Sequence, residues 1–207
     1  MRPKQDQLGR KIRQTLRRVL GIPELVDTGS YLQYLFFKHV FRINSKVPWP
    51  VHFTSRVVCP ERVILGKGSY PGDMPGCYIQ AINGIEIGDY SIFAPNVGLI
   101  SANHDPSDLN KHIPAPPIRI GNFCWVGMNS VVLPGVQLGD HTIVGAGSVV
   151  TESFPEGYCV IAGNPAKLIR QLSPETVTSV RGREALSQVL ETMSHSAPLE
   201  NRAEGED

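Results

Sequence analysis

The stretch LISANHDPSDLNKH, residues 99–112, carries the side chains whose chemistry stands out first. It is polar, it holds two of the six histidines, His104 and His112, and regular apolar-rich sequence lies on both sides of it. An imidazole can take a proton from a hydroxyl near neutral pH, so a displayed histidine suits general-base work. The plain alternative is an exposed loop histidine bonded to a neighbour. Asp105 follows directly and fits two roles. It can orient the imidazole tautomer, as a carboxylate does in a triad, or cap the turn at Pro106. His112 reads as loop surface, with contact to a substrate as the other option. Pro106, Pro114, Pro116 and Pro117 suit a stiff loop extruded over residues 101–117.

The elements that must position this loop are built on a six-residue repeat. In IGNFCWVGMNSVVLPGVQLGDHTIVGAGSVVT the apolar positions Ile120, Val126, Val132, Leu138, Val144 and Val150 come in steps of six, and Gly121, Gly127, Gly139 and Gly145 each follow one of them. Ile87, Phe93 and Leu99 keep the same step upstream. A helix repeats near 3.6 and a half-buried strand at 2, so six suits very short strands joined by tight turns and wound as a solenoid. Three sixes make a triangular coil of 18. That spacing stacks Trp125 on Ile143 and Ile161, Val126 on Val144 and Ala162, and Gly127 on Gly145 and Gly163. Gly121 and Gly139 form a second column, continued by Gly157 if the coil persists that far. The glycines have two readings: turn positions with φ > 0, or a shallow groove where a thin ligand approaches the backbone. From Leu99 to Ile120 is 21 residues, three sixes and three more, so the repeat loses register at the loop.

Composition bounds the rest. A chain of 207 residues allows one domain with a sizeable core. A net charge of +1 argues against nucleic acid as the main partner. Cys59, Cys77, Cys124 and Cys159 are widely spaced with no CxxC, which fits free thiols in a reducing compartment. No apolar run of signal-peptide type follows the basic start, and YLQYLFFKHVF is too short to span a bilayer and is interrupted by Lys38 and His39. A soluble, cytoplasmic protein is expected. LGRKIRQTLRRVLGIP places Leu8, Ile12, Leu16, Val19 and Leu20 on one helical face, with basic residues elsewhere. A cap over the solenoid end is preferred for it; a helix lying on a membrane surface is the other reading. Ser173 and Pro174 mark the start of a C-terminal helix. The expected division is a helical capping region over 1–50, a solenoid over 51–170, a helix over 171–194 and a disordered acidic tail over 195–207.

These motifs resemble the hexapeptide-repeat acyltransferases. WVGMNSVVLPGVQLGDHTIVGAGSVVT followed by VIAGNPAKLIR is similar to the galactoside, maltose and xenobiotic acetyltransferase branch, and to acetyltransferases of surface-polysaccharide assembly. The resemblance runs from about Val57 to Arg170. It implies an all-β solenoid of the left-handed parallel β-helix type, acetyl-CoA as acyl donor with no metal, and a homotrimer with each site shared by two chains. It implies that the extruded loop presents the catalytic base at His104, with Asp105 beside it. The donor's pantetheine arm is then expected along Gly127, Gly145, Ala146 and Gly163, with Trp125 opening the column and Lys167 and Arg170 near the phosphates. Packing against a neighbouring subunit is the other reading of Trp125. Gln80 and Asn96 are the candidates to stabilise an oxyanion. The acceptor is a small molecule or glycan, a sugar hydroxyl first, with amines and xenobiotic hydroxyls open. Two other classes use such a solenoid: a zinc enzyme of carbonic-anhydrase type, whose HxxxxH spacing is absent here, and a non-catalytic oligomeric scaffold.

Overall fold

The computed structural model describes Thr15, Val19, Ile22, Val26 and residues 28–178, with the backbone alone at Thr176 and Thr178. The chain divides into two units, Met1–Gln171 and Leu172–Asp207. The first opens with helix α1, Thr28–His39. Strands β1 (Arg56–Val58), β3 (Tyr78–Gln80), β6 (Gly98–Ile100), β11 (Val131–Val132) and β14 (Val149–Val150) form a first sheet. A second contains β2 (Val63–Leu65), β4 (Ile85–Ile87), β9 (Ile118–Ile120) and β12 (Gln137–Leu138). The third contains β5 (Ile92–Phe93), β10 (Trp125–Val126), β13 (Ile143–Val144) and β15 (Cys159–Gly163), with β16 (Ala166–Gln171) at its edge. From β3 to β14 the chain visits the three sheets in strict rotation, and neighbouring coils pair in parallel. This is the expected solenoid.

Within each short strand one side chain points in and the next out. Ile120, Val126, Val132, Leu138, Val144 and Val150, the periodic positions, are all buried, as are Ile87, Phe93 and Leu99. Each such side chain contributes about 1.5–3 kcal/mol on burial, which makes the column of inward residues the main stabilising feature. The 18-residue coil holds where β9 pairs β12, β10 pairs β13 and β11 pairs β14. It fails at the last coil. Val144 stands opposite Ile161 and Ile143 opposite Val160, a step of 17. The chain shortens beforehand, since Phe154 already bridges to Leu138. The expected columns ending in Ile161, Ala162 and Gly163 therefore slide by one residue. Ile161 is the inward residue, and Gly163, at φ 107, turns the chain from β15 into the antiparallel β16.

Among the repeat glycines, the turn reading holds for Gly157 and Gly163, at φ 66 and 107, and fails for the other four. Gly121, Gly127, Gly139 and Gly145 lie outside the left-handed region, which Tyr90, Asn96, Phe123, Asn129, His141, Gly147, Gly157 and Tyr158 occupy at the corners. They are glycines because the next coil is too close. A Cβ would lie 2.7 Å from the Ala146 amide nitrogen at Gly127 and 2.8 Å from the Ala162 Cβ at Gly145, and at Gly139 it would run into the Pro155 carbonyl oxygen. The side on which the side chain is missing is filled by the next coil, by backbone at Gly127 and Gly139 and by the Ala162 methyl at Gly145, so these glycines let the coils stack closely.

Helix α1 is tied to the segment after it: Phe37 stacks on Phe53 at 4.2 Å, and the Lys38 ammonium donates to the Val47 carbonyl. The basic helix expected over residues 8–20 lies, apart from Thr15 and Val19, outside the described residues. In the second unit, helix α2 (Pro174–Thr178) begins as expected, with the Glu175 amide donating to the Ser173 hydroxyl. The rest of the expected C-terminal helix and the tail lie outside the described residues. Among the described residues no helix is long and apolar enough to cross a membrane.

Candidate active site

Between Leu99 in the first sheet and Ile120 in the second the chain advances one face, so 21 residues stand where six would suffice. The insertion is 15 residues, not three, and it folds into a β-hairpin: β7 (His104–Asp105) runs antiparallel to β8 (Asp108–His112). His104 pairs with His112 in this register, and their rings lie 4.5 Å apart at 35°.

The His104 Nδ1 is 2.7 Å from the Leu109 carbonyl oxygen. A carbonyl only accepts, so Nδ1 carries the hydrogen and Nε2 the lone pair. The exposed imidazole is thus held in the tautomer that accepts a proton through Nε2. This is the orienting role that Asp105 was a candidate for. Asp105 takes the other role: its Oδ1 accepts from the Ser107 amide at 2.8 Å and the Ser107 hydroxyl at 2.6 Å. Those hydrogen bonds hold its carboxyl below the usual range, the side-chain bond contributing most. Asp108 repeats the device, accepting from the Asn110 amide at 3.1 Å, with Lys111 at 3.1 Å. Two Asx turns, besides the prolines, stiffen the hairpin.

The two oxyanion candidates are placed differently. Gln80 is buried and its amide pairs with the backbone of Ala102 in both directions, donating at 3.0 Å and accepting at 2.9 Å. That side chain anchors the strand leading into the hairpin. Asn96 donates to the Asn129 Oδ1 at 3.0 Å on the corner between β5 and β6, whereas the hairpin leaves between β6 and β9. Asn96 is not brought beside His104 within the chain. A residue absent from the sequence reading is Asn83. Its Nδ2 donates to the carbonyls of both Ser101 and Ile113 at 2.9 Å, and its amide donates to the Ser101 hydroxyl at 2.8 Å. In the sequence its only signal is Asn-Gly, which reads as a turn.

On the third sheet Trp125 points outward and is 49% exposed, with Ile92 and Ile143 in register on either side. Ala146 is exposed beside Gly127. Lys167 is paired with Glu152 at 2.8 Å, and Arg170, opposite Val160, is exposed. An open groove of about 380 Å³ on the second sheet, over Gly88, Gly121 and Gly139, contains none of the residues expected at a site. Among the described residues no group of three His, Cys, Asp or Glu is arranged to hold a metal.

The family model described as bacterial transferase hexapeptide (six repeats) matches residues 117–152. The galactoside O-acetyltransferase of Escherichia coli K12 is 40% identical over 173 residues, covering 74% of this chain and 82% of that protein. The chain belongs to the hexapeptide-repeat acyltransferase family. A candidate colanic acid biosynthesis acetyltransferase of the same organism, WcaF, is 36% identical over 116 residues, 56% of this chain, which spans 62% of that relative's length. The fold likeness extends to a Bacillus cereus N-acyltransferase solved with dTDP and 3-hydroxybutyryl-CoA, at TM-score 0.50 and 20% identity, over 70% of this chain and 87% of that one. The family's repeat model coincides with β9 to β14, the part wound in regular 18-residue coils. The hairpin carrying His104 precedes it.

Proposed function

We propose that the chain is an acetyl-CoA-dependent acetyltransferase that O-acetylates a hydroxyl of a sugar or glycan, with His104 as the general base. The observation that carries this reading is the Nδ1–H bond to the Leu109 carbonyl, which leaves Nε2 as a proton acceptor on an exposed hairpin. In the reaction Nε2 takes the proton of the acceptor hydroxyl while that oxygen attacks the thioester carbonyl. The C–S bond then breaks, and the departing thiolate takes the proton from the imidazolium, giving an acetyl ester and free CoA. The Leu109 carbonyl holds the ring in place and stabilises the transient positive charge. The sugar acceptor is the first choice because the galactoside O-acetyltransferase named above is 40% identical and matched over 82% of its length.

The reading includes the left-handed winding that the resemblance implies, a homotrimer, and a cytoplasmic setting where acetyl-CoA is at hand. The apolar strip of Ile92, Trp125 and Ile143 suits a subunit contact that also walls the aliphatic arm of the donor, with Ala146 beside it. Lys167 and Arg170 are the cations for its phosphates, Lys167 exchanging Glu152 for them. Gly127 and Gly145 serve here through their backbone, and Gly163 through the turn it makes.

The test is a CoA-release assay with sugar and glycan acceptors. His104→Ala should lower kcat at least about 100-fold and leave acetyl-CoA affinity unchanged, since a positioned base contributes about 10²–10⁴-fold. Turnover near that of the wild type with any acceptor rules the base out.

A further inference from the structure

We infer that Asn83 is a positioning residue for the catalytic base: one carboxamide ties both legs of the hairpin to the solenoid and thereby fixes where His104 stands. The inference rests on the reading of His104 as the base. Asn83 lies on the corner between β3 and β4, one coil away from the hairpin's root. From there its Nδ2 reaches the Ser101 carbonyl on the outgoing leg and the Ile113 carbonyl on the returning leg, both at 2.9 Å. These carbonyls belong to residues twelve apart in the chain, three before His104 and one after His112. The backbone of Asn83 adds a third bond, to the Ser101 hydroxyl at 2.8 Å, and Ser101 itself is fully buried.

The geometry distinguishes this side chain from an ordinary turn residue. An Asx turn closes on its own backbone within two or three residues. Asn83 uses both hydrogens of its amide on segments 18 and 30 residues away. Above the fork, the Ile113 amide donates to the Asn103 carbonyl at 2.9 Å, and the next rung is the His104–His112 pair. Next to the fork on the outgoing leg, Gln80 pairs with the Ala102 backbone. The root of the hairpin is therefore cross-braced. The outgoing leg has a second anchor in Gln80, whereas the return leg is joined to the neighbouring coil by the Asn83 amide. Without that amide the hairpin root can shift against the solenoid, and the imidazole is carried with it. A displacement near 1 Å at the reacting group costs on the order of 100-fold in rate.

Asn83→Asp separates this role from space filling. It keeps the volume but presents carboxylate oxygens to two carbonyl oxygens, so both bonds are lost and replaced by repulsion. Asn83→Ala loses the donors without the repulsion. Amide hydrogen exchange across residues 101–113 of the assembled protein, read with kcat and both KM values, tests the inference. Both variants should exchange faster in the hairpin while strands β9 to β14 keep wild-type protection. Their kcat should fall roughly 10- to 100-fold, more in Asn83→Asp, with KM for acetyl-CoA within about twofold. A merely structural residue would alter protection throughout the solenoid and leave kcat of the folded fraction intact. Wild-type hairpin exchange in Asn83→Asp overturns the clamp whatever His104 does. Faster hairpin exchange with wild-type kcat overturns the positioning role. Retained turnover in His104→Ala overturns the base, and is read on a different variant from either.

Discussion

At the scale of the residue, the hairpin assigns its carboxylates to turns and the Leu109 carbonyl to the His104 ring. If Asp105 oriented His104 as in a triad, replacing that carboxylate by its amide would cost on the order of 10⁴-fold. Here it accepts from Ser107 and from the Asp108 backbone, and an asparagine oxygen at the same place accepts equally well. Asp105→Asn should therefore keep kcat within about threefold of wild type, measured by CoA release. A loss of 100-fold or more would return Asp105 to the mechanism. The sequence singles out His104 as a candidate because a polar stretch interrupts a strict period there. The partner of its Nδ1 was not legible. It is a main-chain carbonyl at Leu109, and any residue type could supply it. Asn83 was hidden for another reason, since its partners lie 18 and 30 residues away and only the stacking of coils brings them together.

At the scale of the element, corners and seams make opposite demands on small residues. Gly139 lies outside the left-handed region, but a Cβ there would run into the Pro155 carbonyl. Gly147 has φ 70 and open space around it. One coil back, Asn129 holds the same corner position at φ 59, as Asn96 does a coil earlier. Gly139→Ala should thus destabilise by about 1–3 kcal/mol through overpacking, whereas Gly147→Asn should stay within about 0.5–1 kcal/mol of wild type, because asparagine tolerates the left-handed region. Chemical denaturation of both variants checks this; a Gly139→Ala protein as stable as wild type would mean the coils can part. The period of six was enough to place the inward residues of β9 to β14. It could not locate the 17-residue last coil, because Val160, Ile161 and Ala162 are all apolar and hydrophobicity alone leaves the register open by one. It also miscounted the insertion, since 21 residues between periodic positions can equally be three extra or fifteen until the sheets are known.

At the scale of the whole molecule, the row of Ile92, Trp125 and Ile143 sets an expectation about assembly. A large aromatic at 49% exposure between two aliphatic side chains on a flat sheet face suits contact with another copy. Sedimentation at micromolar concentration should give a trimer, and Trp125→Glu should shift it toward monomer by placing a charge in the row. A wild-type monomer that retains activity would contradict the shared site; a Trp125→Glu trimer would move the contact elsewhere. The reversed strand β16 has a consequence of a different kind. A stack of parallel coils is a one-dimensional crystal, and its last layer is a template on which another molecule's first layer could grow. On the third sheet that last layer is β16, running against β15 and occupying the edge. Among the described residues no strand pairs with its outer edge, and its polarity is opposite to that of the coils, so an incoming coil finds no continuation of the lattice there. Six residues following a Gly-Asn-Pro turn act as a chain terminator, and filament growth through this sheet is blocked at the cost of a single hairpin.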